Sequence, residues 1–127
     1  MGGCQISKDE TATIDHLIMT INDQPDKLHG DNTPAVRGLI KIGKPAIPKL
    51  LDLMISGDTD TRLRAATALW GITANMYGAP EGQGWRRPED EARWRARLDD
   101  LGSLDWRDPQ PKRETAVALW RQWYKKQ

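Results

Sequence analysis

The strongest constraint on how this chain folds is the run Gly43-Lys44-Pro45-Ala46-Ile47-Pro48, set between two apolar helical stripes. Inside a helix, proline removes a backbone hydrogen bond and clashes with the preceding turn. In the first helical turn it does neither, because most donors there lack an intrahelical partner anyway. A glycine just ahead of the prolines closes the earlier helix, taking a left-handed conformation that other residues adopt only at a cost. The run therefore ends one helix at Gly43 and opens the next at Pro45, with Pro48 still in its first turn. Helices joined by so short a turn lie antiparallel and side by side.

The same reading extends along the chain. Ile14, Leu17, Ile18 and Ile21 recur at the spacing of one helical face, which predicts a first helix reaching Ile21 and stopped by Asn22-Asp23-Gln24-Pro25. His16, two residues from both Ile14 and Ile18, points to solvent. Thr33 is the expected N-cap of a second helix with Pro34 in its first position and Val36, Leu39 and Ile40 on its apolar face. Ile47, Leu50, Leu51 and Met54 form the stripe of the third helix, which ends at Ser56-Gly57. Asp58, Thr59 or Asp60 caps a fourth, whose buried face reads Ala65, Ala66, Leu69, Ile72 and Thr73. A fifth opens at Pro88 with Trp94, Leu98 and Leu101 inward and with Glu89–Arg93 and Glu91–Arg95 spaced for ion pairs. A sixth follows Pro109 and Pro111, with Ala116, Leu119, Trp120 and Trp123 inward. No strand-like alternation occurs. The expectation is an all-α chain.

Organisation follows from these stripes. Residues 1–7 are expected to be a disordered tail and residues 8–127 a single helical domain, with a repeat core over 33–75, a loop over 76–87 and a C-terminal cap over 88–127. The loop reading rests on Gly78, Gly82, Gly84 and Pro80, which crowd "MYGAPEGQGWRR". Five of the six Trp lie beyond residue 80 and the chain has no Phe, so its last third packs by other means than its middle.

Charge narrows the partners. Basic and acidic residues nearly cancel to a net +1, so no general pull toward nucleic acid is expected and no nucleic-acid partner is inferred. No stretch approaches the roughly 18 apolar residues of a membrane helix. Cys4 is the only cysteine, which excludes an intrachain disulfide. Gly2-Gly3-Cys4 is similar to the cleavage end of a bacterial lipoprotein signal, making Cys4 the candidate lipidation residue and lipidation the one route to membrane contact. The apolar stretch that should precede it is missing, and Ile6 occupies the Ser/Thr position of a myristoylation motif, so an incidental thiol is the favoured reading. The compartment is cytoplasmic by default, or the cell envelope if Cys4 is lipidated.

Reaction chemistry finds little support. His16 and His29 belong to no HxxxH and the chain has no CxxC, so no metal site is expected. No G-x-S-x-G surrounds a serine. "GAPEGQG" lacks the Lys-Ser/Thr that would hold phosphate, and the acidic runs Glu89-Asp90-Glu91 and Asp99-Asp100 suit helix ends and solvated faces. The chain is read as a non-enzyme without cofactor.

Gly43, Pro45, Ala46, Ile47 and Pro48, followed by Arg62, Ala65, Ala68 and Leu69, resemble the HEAT repeat family in its bacterial HEAT-like form, over about forty central residues. The family often carries an Asp six residues before that Arg; here Ser56 stands there. The resemblance implies a short α-α superhelix of helical hairpins, closed by the first helix at one end and by Trp-rich capping helices at the other. It also implies a scaffold that binds another protein. The contact set expected for that partner is Arg37, Lys41 and Arg64 on exposed helix faces, with Trp85 and Arg86 on the loop as an exposed indole beside guanidinium groups. The alternative is an envelope-anchored module for a saccharide or wall component. A further one is the DNA glycosylase or bilin lyase activity of some HEAT-like proteins.

Overall fold

Six α-helices carry the computed structural model of the chain, which describes residues 7–79 and 84–127. They are α1 (Lys8–Met19), α2 (Pro34–Ile42), α3 (Ile47–Ser56), α4 (Thr59–Tyr77), α5 (Pro88–Asp100) and α6 (Gln110–Lys125), and no strand occurs among the described residues. The fold is all-α.

Their ends are written in short polar side chains and in Gly and Pro. Ser7, expected in the tail, instead caps α1 by accepting a hydrogen bond from the Glu10 N–H at 3.0 Å. Thr33 accepts from the Val36 N–H at 3.1 Å and donates its own proton to the Ile21 carbonyl at 2.8 Å. One buried hydroxyl thus starts α2 and fastens it to the turn after α1. Gly43, at φ 84°, ends α2, and a single 3-10 turn over Lys44–Ala46 leads into α3, where Pro48 lies in the first turn. The prolines do mark the start of a helix, but Pro45 lies in the 3-10 turn and α3 itself opens at Ile47, two residues later than expected. Asp58 caps α4 through the Thr61 N–H at 2.8 Å, and that N–H, with the Thr61 hydroxyl, holds the Asp58 carboxyl below its ordinary range.

α4 packs against α2, α3 and α5, while α3 also receives α6, and α1 lies across α2 and α3. Val36, Leu39, Leu50, Leu51, Met54, Ala65, Leu69, Val117 and Trp120 meet in one fully buried core. Burying each of the larger side chains contributes about 1.5–3 kcal/mol. Small residues set the spacing: a Cβ on Gly38 would come within 3.2 Å of Leu17, and one on Gly71 within 2.6 Å of Ile40. These two glycines let α1 approach α2, and α2 approach α4.

Two further boundaries and one ion pair differ from the sequence reading. α1 stops at Met19, and Ile21 enters the core from the following turn rather than from the helix. α4 continues through Met76 and Tyr77 until Gly78, at φ 118°, closes it, so the expected loop begins two residues late. Arg93 pairs with Asp90 at 2.8 Å, not with Glu89, while the Glu91–Arg95 pair forms at 2.9 Å. The C-terminal helices also behave differently from one another. α6 buries Arg113, Ala116, Val117, Trp120 and Trp123, whereas α5 buries no residue fully. α5 is instead held to α4 by the Trp94 indole N–H, which donates to the Thr73 hydroxyl at 2.9 Å.

Candidate functional site

A cleft of about 520 Å³ opens between α2 and α4, bordered by residues 29–32 ahead of α2 and by Ala79, Gly84 and Trp85 beyond α4. Its size is that of small-ligand sites in general. The helical walls bring Arg37 and Ile40 from α2 and Thr67, Gly71, Ala74 and Asn75 from α4. Gly71 permits this geometry, because any larger residue would meet Ile40 and pry the two walls apart.

The turn ahead of α2 is pre-shaped. The Asp26 carboxylate accepts the Leu28 N–H at 2.9 Å, and this bond above all holds its pKa below the ordinary aspartate range. The Asp26 N–H donates to the Asn32 carbonyl, also at 2.9 Å. Arg64 then clamps the turn from α4, giving Nε and Nη2 to the Gly30 carbonyl at 3.1 and 2.9 Å and Nη1 to Asn22 at 2.7 Å. A charged fork on a carbonyl and an amide is a strong tether. Asp31 and Asn32 are thereby presented to the cleft.

These side chains are unevenly satisfied. The Thr67 hydroxyl stands 2.9 Å from the Leu63 carbonyl and 3.3 Å from the Asp31 carboxylate, so its one proton goes mainly to the main chain. Asn32 Oδ1 is shut off from solvent without a hydrogen-bond partner. Arg37 forms no ion pair or side-chain hydrogen bond among the described residues. Trp85 is half-buried, its ring 5.4 Å from that of Trp94 and inclined at 42°. That corrects the expectation of an indole held out in water: α5 props it at the cleft.

Of the residues singled out from sequence, Arg37 and Trp85 meet in this cleft. Lys41 and Arg86 are exposed and lie outside its lining, and Arg64 acts as the clamp just described. Cys4 lies outside the described residues. Asp31, Asn32, Thr67, Gly71 and Asn75 escaped the sequence reading. Gly71 carried a usable signal, since an interior helical glycine costs about 1 kcal/mol against Ala and so marks a close approach.

The arrangement suits recognition. It sets a cation, a carboxylate, two amides and an indole around an apolar floor, and the Thr67 hydroxyl, engaged with Leu63, is not poised as a nucleophile. Among the described residues, no group of three or more His, Cys, Asp or Glu converges to hold a metal ion, and no helix is long and apolar enough to cross a membrane. Comparison with protein-family models, with curated proteins and with solved structures returned no match.

Proposed function

We propose that the chain is a non-catalytic protein-interaction module that receives a segment of a partner protein in the α2–α4 cleft. The observation that carries this reading is Arg37: a guanidinium with no ion pair or side-chain hydrogen bond among the described residues, on the wall of a cleft that the Trp85 indole also lines. Arginine and tryptophan are the side chains most often found to dominate binding energy at protein interfaces. The packing of α2 on α4 is the contact that successive helical hairpins make, and such hairpins offer ridged surfaces to partners. Lys41 and Arg86, exposed nearby in sequence, extend the contact beyond the cleft.

The test is affinity capture with the whole chain and with Arg37→Ala and Trp85→Ala variants of native circular dichroism. Partners held by the wild type and lost by both variants support the reading. A partner set unchanged in both removes the cleft from it. A second reading, a saccharide site, is favoured by one feature: Trp85 stands among Asp31, Asn32 and Asn75, a stacking surface amid amide and carboxylate groups. Glycan-array binding abolished by Trp85→Ala and untouched by Arg37→Ala would favour it.

A further inference from the structure

The guanidinium groups of this chain are used unevenly. Of its eleven arginines, eight have engaged side chains. Arg62, Arg64 and Arg113 donate to backbone carbonyls, Arg97 to the Tyr77 hydroxyl, and Arg93, Arg95, Arg107 and Arg121 to carboxylates. The other three, Arg37, Arg86 and Arg87, form no ion pair or side-chain hydrogen bond among the described residues, and all are exposed. They are not scattered. Arg37 lines the α2–α4 cleft, and Arg86 and Arg87 directly follow Trp85, which lines it too. Acids lie nearby but bond elsewhere: Asp26 feels the charge of Arg37 yet accepts the Leu28 N–H, and Asp31 contacts the Thr67 hydroxyl at 3.3 Å. Asp90 and Glu91 pair with Arg93 and Arg95 on their own helix, which leaves the exposed Glu89 beside Arg87 in sequence. One surface arginine without a partner means little, since exposed ion pairs contribute little to stability. Three at one cleft amount to donor forks that lack acceptors.

From this clustering we propose that the cleft docks an acidic segment of a partner protein, with Asp or Glu on both sides of an apolar residue. The proposal rests on the protein-interaction reading and narrows it. Carboxylates are the acceptors whose two oxygens match a planar guanidinium fork, and arginine clusters are a recurring means of reading acidic motifs. The cations come from two elements, Arg37 from α2 and Arg86 and Arg87 from the stretch ahead of α5, with the apolar Ile40, Ala74 and Ala79 in the cleft lining. That arrangement calls for acids flanking an apolar anchor rather than for one isolated anion. A polypeptide suits it better than a nucleic acid. The Asp31 carboxylate in the lining accepts main-chain N–H groups but repels phosphates, and the chain as a whole carries only +1.

The experiment uses two fluorescein-labelled pools of C-amidated nonapeptides with leucine at the centre. Their flanks are randomised over Asp, Glu, Ser and Gly in one pool and over Asn, Gln, Ser and Gly in the other. Each pool, and an oligothymidylate of nine nucleotides, is titrated against the intact protein by fluorescence polarisation. The acidic pool should bind at least about tenfold more tightly than the amide pool, and the difference should shrink as salt rises. Arg37→Ala and the double variant Arg86→Ala/Arg87→Ala should each remove part of the difference, and the triple variant nearly all of it. Arg121→Ala, which removes a guanidinium already held by Asp52 at 2.6 Å, should leave it unchanged. Equal binding of the two pools overturns the acidic-segment proposal while leaving the interaction module standing, and so does a difference that survives the triple variant. Oligonucleotide binding tighter than that of the acidic pool, and lost in the triple variant, overturns it as well, because the cleft then serves phosphates. If neither peptide pool binds, the proposal fails, and capture of partners by the wild type judges the broader reading separately.

Discussion

Arg113 reaches from α6 to the last turn of α3, where its Nη1 donates to the Met54 carbonyl at 2.6 Å, 59 residues away in sequence. Its Nε donates to the Asp108 carbonyl at 2.9 Å, and the side chain is only 7% exposed. A helix leaves its final carbonyls without intrahelical donors and carries partial negative charge there, so a buried cation is well placed. Burial, and then the like charge of Arg62, lowers the Arg113 pKa, yet arginine stays charged across working pH.

The first prediction follows from that geometry. Arg113→Met keeps much of the volume but strands two carbonyls, and should cost about 1.5–3 kcal/mol in urea unfolding. Arg113→Lys should recover less than half of this, since an ammonium cannot span both carbonyls as the fork does. A Met variant as stable as wild type would show that water satisfies those carbonyls.

Gly71 yields a coupled prediction. Adding a Cβ there should gain about 1 kcal/mol of helix propensity yet lose about 1–3 kcal/mol to overpacking against Ile40, whose Cδ1 would stand only 2.6 Å away. Ile40→Val removes that carbon and leaves only the 3.0 Å approach of Cγ1, which a small shift of the valine relieves. Gly71→Ala should therefore be stabilising when combined with Ile40→Val and neutral or destabilising in the wild type, a sign change read from a double-mutant cycle. Equal effects in both backgrounds would deny the close approach that shapes the cleft.

Acid should weaken the start of α4. The Asp58 pKa is lowered in the fold, first by the Thr61 N–H and then by the Thr61 hydroxyl. A lowered carboxyl pKa contributes stability that is present above the unfolded value, about 4, and lost as pH falls through the folded one. Asp58→Ala should melt below wild type at neutral pH, with the gap closing as pH falls below about 4. Asp58→Asn, which still accepts at the cap without titrating, should show a smaller gap that varies little with pH. A gap in Asp58→Ala that is constant with pH would count against the charged cap.

Much of the fold was legible because helix ends depend on local chemistry. Thr33, Gly43, Pro45, Pro48 and Asp58 act within a few residues of themselves, so their roles can be read in one dimension. The periodicity carries α1 past its end because Ile21 keeps the helical period although the chain has already turned; its place is set by the Thr33 hydroxyl holding the Ile21 carbonyl, a contact 12 residues away. Arg113 gives no sign of its role in the sequence for a related reason. Its partners lie on another helix, and charged residues are seldom buried unless paired. Only two residues of the candidate site are visible by type, Arg37 and Trp85; Arg64 is as conspicuous but is taken up by Gly30 and Asn22. Asp31 and Asn32 matter only through the turn that aims them, and that turn depends on α4.

The last prediction joins fold to site through Trp94. α5 buries no residue fully, so its attachment relies on half-buried contacts and on the indole bond to Thr73. The same ring supports Trp85 at 5.4 Å. Trp94→Phe should keep the aromatic contact but lose the hydrogen bond, costing about 0.5–1.5 kcal/mol and leaving the cleft's binding near wild type. Trp94→Ala should lose both supports: amide exchange should quicken along α5, Trp85 emission should shift to longer wavelength, and partner capture should fall although no cleft-lining residue has changed. Core amides in α3 and α4 should keep their protection, because α5 contributes little to the buried interior. Unchanged binding in Trp94→Ala would mean that Trp85 holds its place, or does its work, independently of α5.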